Sequence, residues 1–425
     1  MHSTMKEQTT KQGTMMATII IGTLFFLFGF ITWLNATLIP YLKIACELND
    51  FQSLLVAFAF YIAYFFTALP MSRILRRFGM KKGMMVGLVI MAIGAAIFIP
   101  AAITRTYELF LMGLFIIGTG LTLLQTAANP YVTIIGPIES AAKRISIMGI
   151  CNKFAGVLAP LIMGAVILQD ADAITGQVHL LNEPERVAML DELARRVILP
   201  YALMGFTLLL LAAGIRFSAL PEIEAEPELV KGTVGQALQY PQLRLGVIAL
   251  FLYVGAEVIA ADTIGLFGQA QHIPLSQAKN FASFTLAAMV LGYFAGIALI
   301  PKFISQAKAL AISAVLGCLL TVLAIELNGY QAVLCIALLG LANALVWPAI
   351  WPLALDGLGK LIPVASALLI MAIAGGALLP LLYGLAADMP SVGRQNAYWL
   401  LIPCYGFIFY YAIAGHRKRK KTSPV

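Results

Sequence analysis

The sequence predicts an all-α integral membrane protein of twelve transmembrane helices arranged as two six-helix, pseudo-symmetric halves. Three observations carry the prediction: a composition that is 61% hydrophobic and only 11% charged, apolar stretches that recur along the whole chain, and an internal repeat. With a mean hydropathy of +0.90, 425 residues cannot supply the polar surface that a water-soluble fold of this size presents. The stretches reach the roughly 20 residues needed to cross about 30 Å of hydrocarbon.

The spans read as 17–42, 51–72, 83–103, 107–135, 145–169, 197–217, 244–268, 277–300, 307–326, 331–355, 361–387 and 395–415. The first is too long for a cleavable signal, lacks a small-residue cleavage site on an exposed flank and runs directly into further spans, so it stays as helix one. Twelve spans return both ends to one side. Of the 28 basic residues, twenty lie on the side of the termini, including Arg73, Arg76, Arg77, Lys81, Lys82 and the run Arg417–Lys421. Seven lie on the other side, Lys43, Arg105, Arg186, Arg195, Arg196, Lys279 and Arg394, and Lys153 is left inside a span. This bias predicts cytoplasmic termini. The net charge of +8 then follows from topology, and the basic tail reads as an anchor for anionic membrane lipid, not as a nucleic-acid site.

A shift of 220 residues superposes Gly120-Leu121 on Gly340-Leu341, Ser146 on Ser366 and the Pro160–Gly164 segment on Pro380–Gly384. The chain therefore divides into an N-terminal bundle, 1–217, a cytoplasmic linker, 218–243, and a C-terminal bundle with the basic tail, 244–425. Glu222, Glu224, Glu226 and Glu228 fall in that linker as a solvated acidic run. The two segments Gly120–Pro130 and Gly340–Pro352 occupy matching places, carry Gln and Asn, and are broken by proline. Such interruptions are costly at bilayer depth unless they line a cavity or are buried in protein, and matched pairs of them point to the substrate site of a transporter. In the loop 170–195, Val187, Leu190, Ala194 and Val197 at helical spacing predict a short amphipathic helix bracing the surface ahead of span six.

The even split into halves, and the loop Arg73–Lys82 with its Gly and Arg residues, resemble the major facilitator superfamily, although the acidic member usual in that loop is missing. At Leu34–Pro40 (LNATLIP), Gln125–Pro130 (QTAANP), Gly136–Ser140 (GPIES) and Tyr253–Glu257 (YVGAE) the chain resembles, over its whole length, the fucose permease family of sugar symporters. Within it the likeness is to the glucose, galactose and N-acetylglucosamine branch of Gram-negative bacteria. The resemblance implies sugar import coupled to a cation across the inner membrane. It also implies an aspartate in helix one and a glutamate in helix four as proton carriers. Ala36 and Gln125 stand at those places here, so sodium is favoured over the proton as coupling ion. N-acetylglucosamine is favoured over glucose or galactose because of the stretch Tyr253–Ile264.

A sugar needs side chains that both donate and accept, together with an aromatic wall. Asn35, Gln125, Asn129, Asn152, Asn343 and Trp347 meet that description on helices one, four, five and ten, with Trp351 behind Trp347 and with Tyr61 and Gln269 as outer members. Charge inside a span is the sharper signal, since an unpaired charged group near the bilayer centre costs at least about 2.5–3.5 kcal/mol. Lys153, Glu257 and Asp262 qualify. Lys153 lies about 12 Å into its helix at about 1.5 Å per residue, and it is expected either to pair with Glu257 across the seam, where substrate or cation competes for the carboxylate, or to form a permanent interhelical salt bridge.

No cofactor is expected beyond a Na+ or H+ coupling ion, and no residue is assigned as a metal ligand. Cys46, Cys151, Cys318, Cys335 and Cys404 have no ligand spacing and read as packing residues. An enzyme is excluded by the lack of any serine, histidine and acid arrangement. An exporter of drugs or metabolites and a sugar uniporter remain as alternatives, and the partners expected are a small sugar and membrane lipid around a monomer.

Overall fold

In the computed structural model, residues 2–134, 141–178, 180–218, 220, 233–300 and 302–418 are described, with backbone alone for 2–17, 72, 73, 76, 129, 130, 133, 134, 141–146, 171, 360 and 363. The loop Gly136–Ser140, the acidic linker residues Glu222 to Glu228 and the tail beyond Lys418 lie outside the described residues. Among the described residues there are twelve helices long and apolar enough to cross a membrane. We label them α1 Thr18–Ala45, α2 Asp50–Phe78, α3 Met80–Thr104, α4 Tyr107–Ile134, α5 Ala141–Ile167, α6 Ile198–Phe217, α7 Pro241–Asp262, α8 Phe281–Leu299, α9 Gln306–Glu326, α10 Gly329–Leu355, α11 Val364–Asp388 and α12 Gly393–Arg417. Phe66, Leu203, Phe206, Leu291, Phe294 and Ile312 are exposed, an apolar surface far larger than a water-soluble protein carries.

Packing follows the repeat. In the first half α1 lies on α5, α3 on α4 and α6, and α2 on α4; in the second α7 lies on α11, α9 on α10 and α12, and α8 on α10. The pairs α1/α5 and α7/α11 approach so closely that no side chain fits between them. A Cβ on Gly29 would stand 1.8 Å from the Asn152 carbonyl oxygen, and one on Gly375 would stand 1.8 Å from that of Phe251. Glycine at such places is the membrane substitute for hydrophobic collapse, because lipid is as apolar as the helices and only close contact favours association.

Among the described residues several membrane helices are interrupted, α11 and α12 by 3-10 turns at Ala372–Ala374 and Ala397–Leu400 and three others as follows. α1 breaks at Leu34, between Trp33 and Asn35; α7 ends at Asp262 and resumes as the short helix Ile264–Ala270; α10 breaks between Asn343 and Val346. Between the halves α2 packs on α11 and α5 on α8, while the Asn35–Ala45 part of α1 meets α7 and its continuation. The amphipathic helix anticipated in the loop before span six runs Glu183–Arg195 and buries Leu190, Leu193 and Ala194. It rests on α1 and α3, and the Tyr41 hydroxyl donates to the Leu193 carbonyl, which makes it a brace within the first half.

Candidate functional site between the halves

The centre of the seam is an ion pair. Lys153 on α5 places Nζ 2.7 Å from Glu257 Oε1 on α7, and both side chains are about nine-tenths buried, with relative exposures of 11% and 9%. The ammonium also lies 4.6 Å from the centre of the Trp33 indole, a cation–π contact worth about 0.5–2 kcal/mol. Trp33 reaches this position because Gly156, one turn beyond Lys153, has no side chain: a Cβ there would fall 2.5 Å from the indole Cδ1. Around the carboxylate, Tyr253 stands one turn earlier on α7 within hydrogen-bonding range, and Tyr293 of α8 and Tyr61 of α2 lie within its electrostatic reach.

The amides come from four different helices, α1, α4, α5 and α10. Asn35 is buried at the α1 break and its Nδ2 has no partner; the neighbouring Trp33 Nε1 and Thr37 Oγ1 are likewise buried and unpartnered. Asn152 is half-buried and donates to the Phe25 carbonyl at 3.3 Å, which ties it to α1. Asn343 is buried, accepts from the Tyr405 hydroxyl of α12 at 3.0 Å, and keeps an unpartnered Nδ2. Gln125 is half-buried beside the Tyr64 hydroxyl. Asn129 follows one turn later on α4, its side chain outside the described residues.

Trp347 and Trp351 stack with centroids 5.3 Å apart and form one half-buried aromatic surface on α10. Tyr61 packs on Gly376 of α11 and stacks on Tyr64, 6.5 Å between centroids. Gln269 is half-buried on the short helix after α7. Asp262 ends α7 fully buried, and neither carboxylate oxygen has a partner.

Beyond Asp262, at the end opposite the termini, the halves are joined by charge. Arg394 at the start of α12 donates from Nε to Asp50 Oδ2 at 2.6 Å and from Nη2 to Asp50 Oδ1 at 2.9 Å, and Lys43 also donates to Asp50. Asp388, at the end of α11, accepts from the backbone N–H groups of Asp50 and Phe51 at 3.0 and 2.8 Å, capping the first turn of α2 from the other half. On the far side of the seam Lys279 donates to the Leu168 carbonyl at 2.8 Å, Ser283 to that of Val157 at 2.8 Å, and the Ser276 N–H to Asp172 Oδ1 at 3.3 Å. Burial works against the Asp172 charge, but these hydrogen bonds from Ser276 and Leu275 outweigh it and hold the carboxyl below its usual range.

This arrangement of two packed bundles with a polar seam has known counterparts. The Major Facilitator Superfamily model matches residues 21–380. A glucose/galactose transporter of Brucella abortus is 38% identical over 93% of this chain and 92% of its own length. An L-fucose-proton symporter of Escherichia coli is 29% identical over 92% and 91%. The crystal structure of the major facilitator transporter FucP in the outward conformation superposes with a TM-score of 0.72 and 28% identity, covering 94% of this chain and 98% of that one. The chain belongs to the major facilitator superfamily.

Within that superfamily it is a member of the fucose permease-like sugar symporter family, a family of transporters and not of enzymes. Against the major facilitator framework, four participants escaped the sequence reading. Trp33 was not singled out and Tyr253 was noted only as part of a motif, because an aromatic in an apolar span looks the same whether it supports a charge or only packs. Asp50 and Asp388 sit at the mouths of spans, where a carboxylate is ordinarily solvated. Their signal was the matching cation, Arg394, at the start of the last span.

Proposed function

We propose that the chain is a symporter that imports a hexose or an N-acetylhexosamine together with a cation by alternating access, the bundles 1–217 and 244–425 rocking about the linker 218–243. We further propose that it sits as a monomer in a bacterial inner membrane with both termini cytoplasmic, as the basic bias of its loops favours. The observation that carries the reading is the Lys153–Glu257 pair, which spans the halves on the face of Trp33. A pair across a rocking seam must be remade or replaced in each state, so a sugar hydroxyl or a cation that competes for the carboxylate changes the balance between states. The unpartnered donors of Trp33, Asn35 and Asn343 support a polyhydroxylated substrate.

The likeness to a glucose/galactose transporter favours a hexose. N-acetylglucosamine rests on the Tyr253–Ile264 stretch and sodium on the loss of the helix-one and helix-four acids, while the L-fucose-proton symporter among the relatives favours the proton. One cation descending about 100 mV supplies roughly 2.3 kcal/mol, enough for nearly fifty-fold accumulation. A uniporter is the second reading, favoured by the ion pair itself, in which Lys153 stands permanently in place of a coupling cation. An exporter of apolar drugs fits less well, since the seam carries hydrogen-bonding groups.

The test is uptake of labelled N-acetylglucosamine, glucose and galactose into proteoliposomes under an inward sodium or an inward proton gradient at fixed potential. Accumulation of one of the three against its gradient is expected. Equilibration without accumulation supports uniport, and no uptake of any of them overturns the reading.

A further inference from the structure

Asp262 lies apart from the Lys153–Glu257 pair, about 7.5 Å along α7 at about 1.5 Å per residue, and it has no exposure and no hydrogen-bond donor on either oxygen. The cations and hydroxyls around it are engaged elsewhere. Lys153 is held by Glu257. From α1, Lys43 donates to Asp50 and Tyr41 to the Leu193 carbonyl. From the start of α12, Arg394 binds Asp50 and the Leu266 carbonyl, and the hydroxyls of Tyr398 and Thr263 bond to each other at 2.8 Å. On α11 the Tyr383 hydroxyl donates to the Arg394 carbonyl. Tyr61 of α2 and Glu257 are the titratable groups in electrostatic contact with Asp262, and neither is a cation.

An anionic carboxylate cannot be kept dry without a donor or a counter-charge. A metal ion would need several oxygen ligands. A proton needs one oxygen. The position also suits a gate: Asp262 is the last residue before α7 breaks, the Thr263 hydroxyl returns to the Ile259 carbonyl at 2.6 Å, and Tyr61 of the first half, resting on Gly376 of α11, lies within its electrostatic reach. Separating the halves at this end draws Tyr61 away and lets water in.

We propose that Asp262 carries the coupling ion as a bound proton, taken from water when the end opposite the termini is open, sealed in as the neutral acid in the state seen here, and released as a proton to water on the termini side after the seam opens there. The proposal rests on the symport reading above. Glu257, already neutralised by Lys153, then serves the sugar and not the ion.

The test compares wild type, Asp262→Asn and Asp262→Glu in weakly buffered proteoliposomes, reading external pH, sugar counterflow and accumulation for the same three labelled sugars. Asparagine copies the shape of the neutral acid. Asp262→Asn is expected to keep counterflow, to lose accumulation under a proton gradient, to lose sugar-driven alkalinisation outside, and to lose the pH dependence of counterflow. Asp262→Glu is expected to regain alkalinisation with a displaced pH midpoint. Accumulation by Asp262→Asn at the wild-type ratio overturns the proposal, as does wild-type counterflow without alkalinisation. Should the asparagine variant fail to insert, the wild-type alkalinisation and the displaced midpoint of Asp262→Glu decide the matter alone. Absence of counterflow in the wild type removes the symport reading as well, which separates the two failures.

Discussion

At the scale of single residues, the seam is governed by the cost of a buried charge. Lys153 and Glu257 are each nearly enclosed, so removing one leaves the other in a poor solvent, and breaking such a pair costs about 3–5 kcal/mol where replacing both by apolar groups is near neutral. Lys153→Met and Glu257→Gln are therefore each expected to lower the melting temperature in detergent, and the double variant to recover most of the loss while remaining without accumulation. Additive losses in the double variant would show that the two charges do not act on each other. These charges were legible in the sequence because a Lys or Glu inside an apolar span stands out. The fate of the amides was not: Asn343, a sugar ligand by composition, spends its oxygen on Tyr405, and Asn152 spends its amide on Phe25. Residue type gives hydrogen-bonding capacity, and only three-dimensional packing decides how much of it is left over.

At the scale of elements, helix interruption and close approach set the architecture. Pro348 and Pro352 in α10 announce a distorted helix in the sequence. The break after Asp262 has no proline; the residue at the break is Thr263, whose hydroxyl returns to the Ile259 carbonyl. A threonine in an apolar run does not announce this, so the sequence reading ran α7 straight on to residue 268. The glycine contacts were equally hidden, since a glycine reveals its neighbour only in the fold. Gly375 against Phe251 makes a measurable claim. Gly375→Val is expected to push α7 from α11 and cost about 1–3 kcal/mol or more, read as a lower melting temperature, whereas Gly406→Ala on α12, with open space around its Cβ position, is expected to be neutral within about 0.5 kcal/mol. Equal losses at the two sites would mean that the close approach at Gly375 is not what fixes a glycine there.

At the scale of the whole molecule, the number of spans and the repeat were plain in the sequence because both are periodic properties of hydropathy. The way the halves meet was not, because its determinants are far apart: Asp388 caps the first turn of α2 across 338 residues, and Arg394 reaches Asp50 across 344. These contacts, with those of Lys279, Ser276 and Ser283, close the end opposite the termini, and under the proposed alternating-access cycle they favour the state closed there. Hydrogen bonds to charged groups contribute about 1.5–3 kcal/mol each, which corresponds to roughly 10–150-fold in the ratio of closed to open molecules. Arg394→Gln removes the charge but spares the α2 cap, since Asp388 makes that cap itself. Spin labels placed by Glu47→Cys and Met389→Cys in a background without the native cysteines report the separation of the halves at this end. The unmodified lock is expected to give one short distance, and Arg394→Gln a second, longer component whose population grows when sugar is absent. The same distribution with and without the arginine would mean that the apolar contacts of α2 with α11 hold the end shut unaided, and that the charges merely follow the closure.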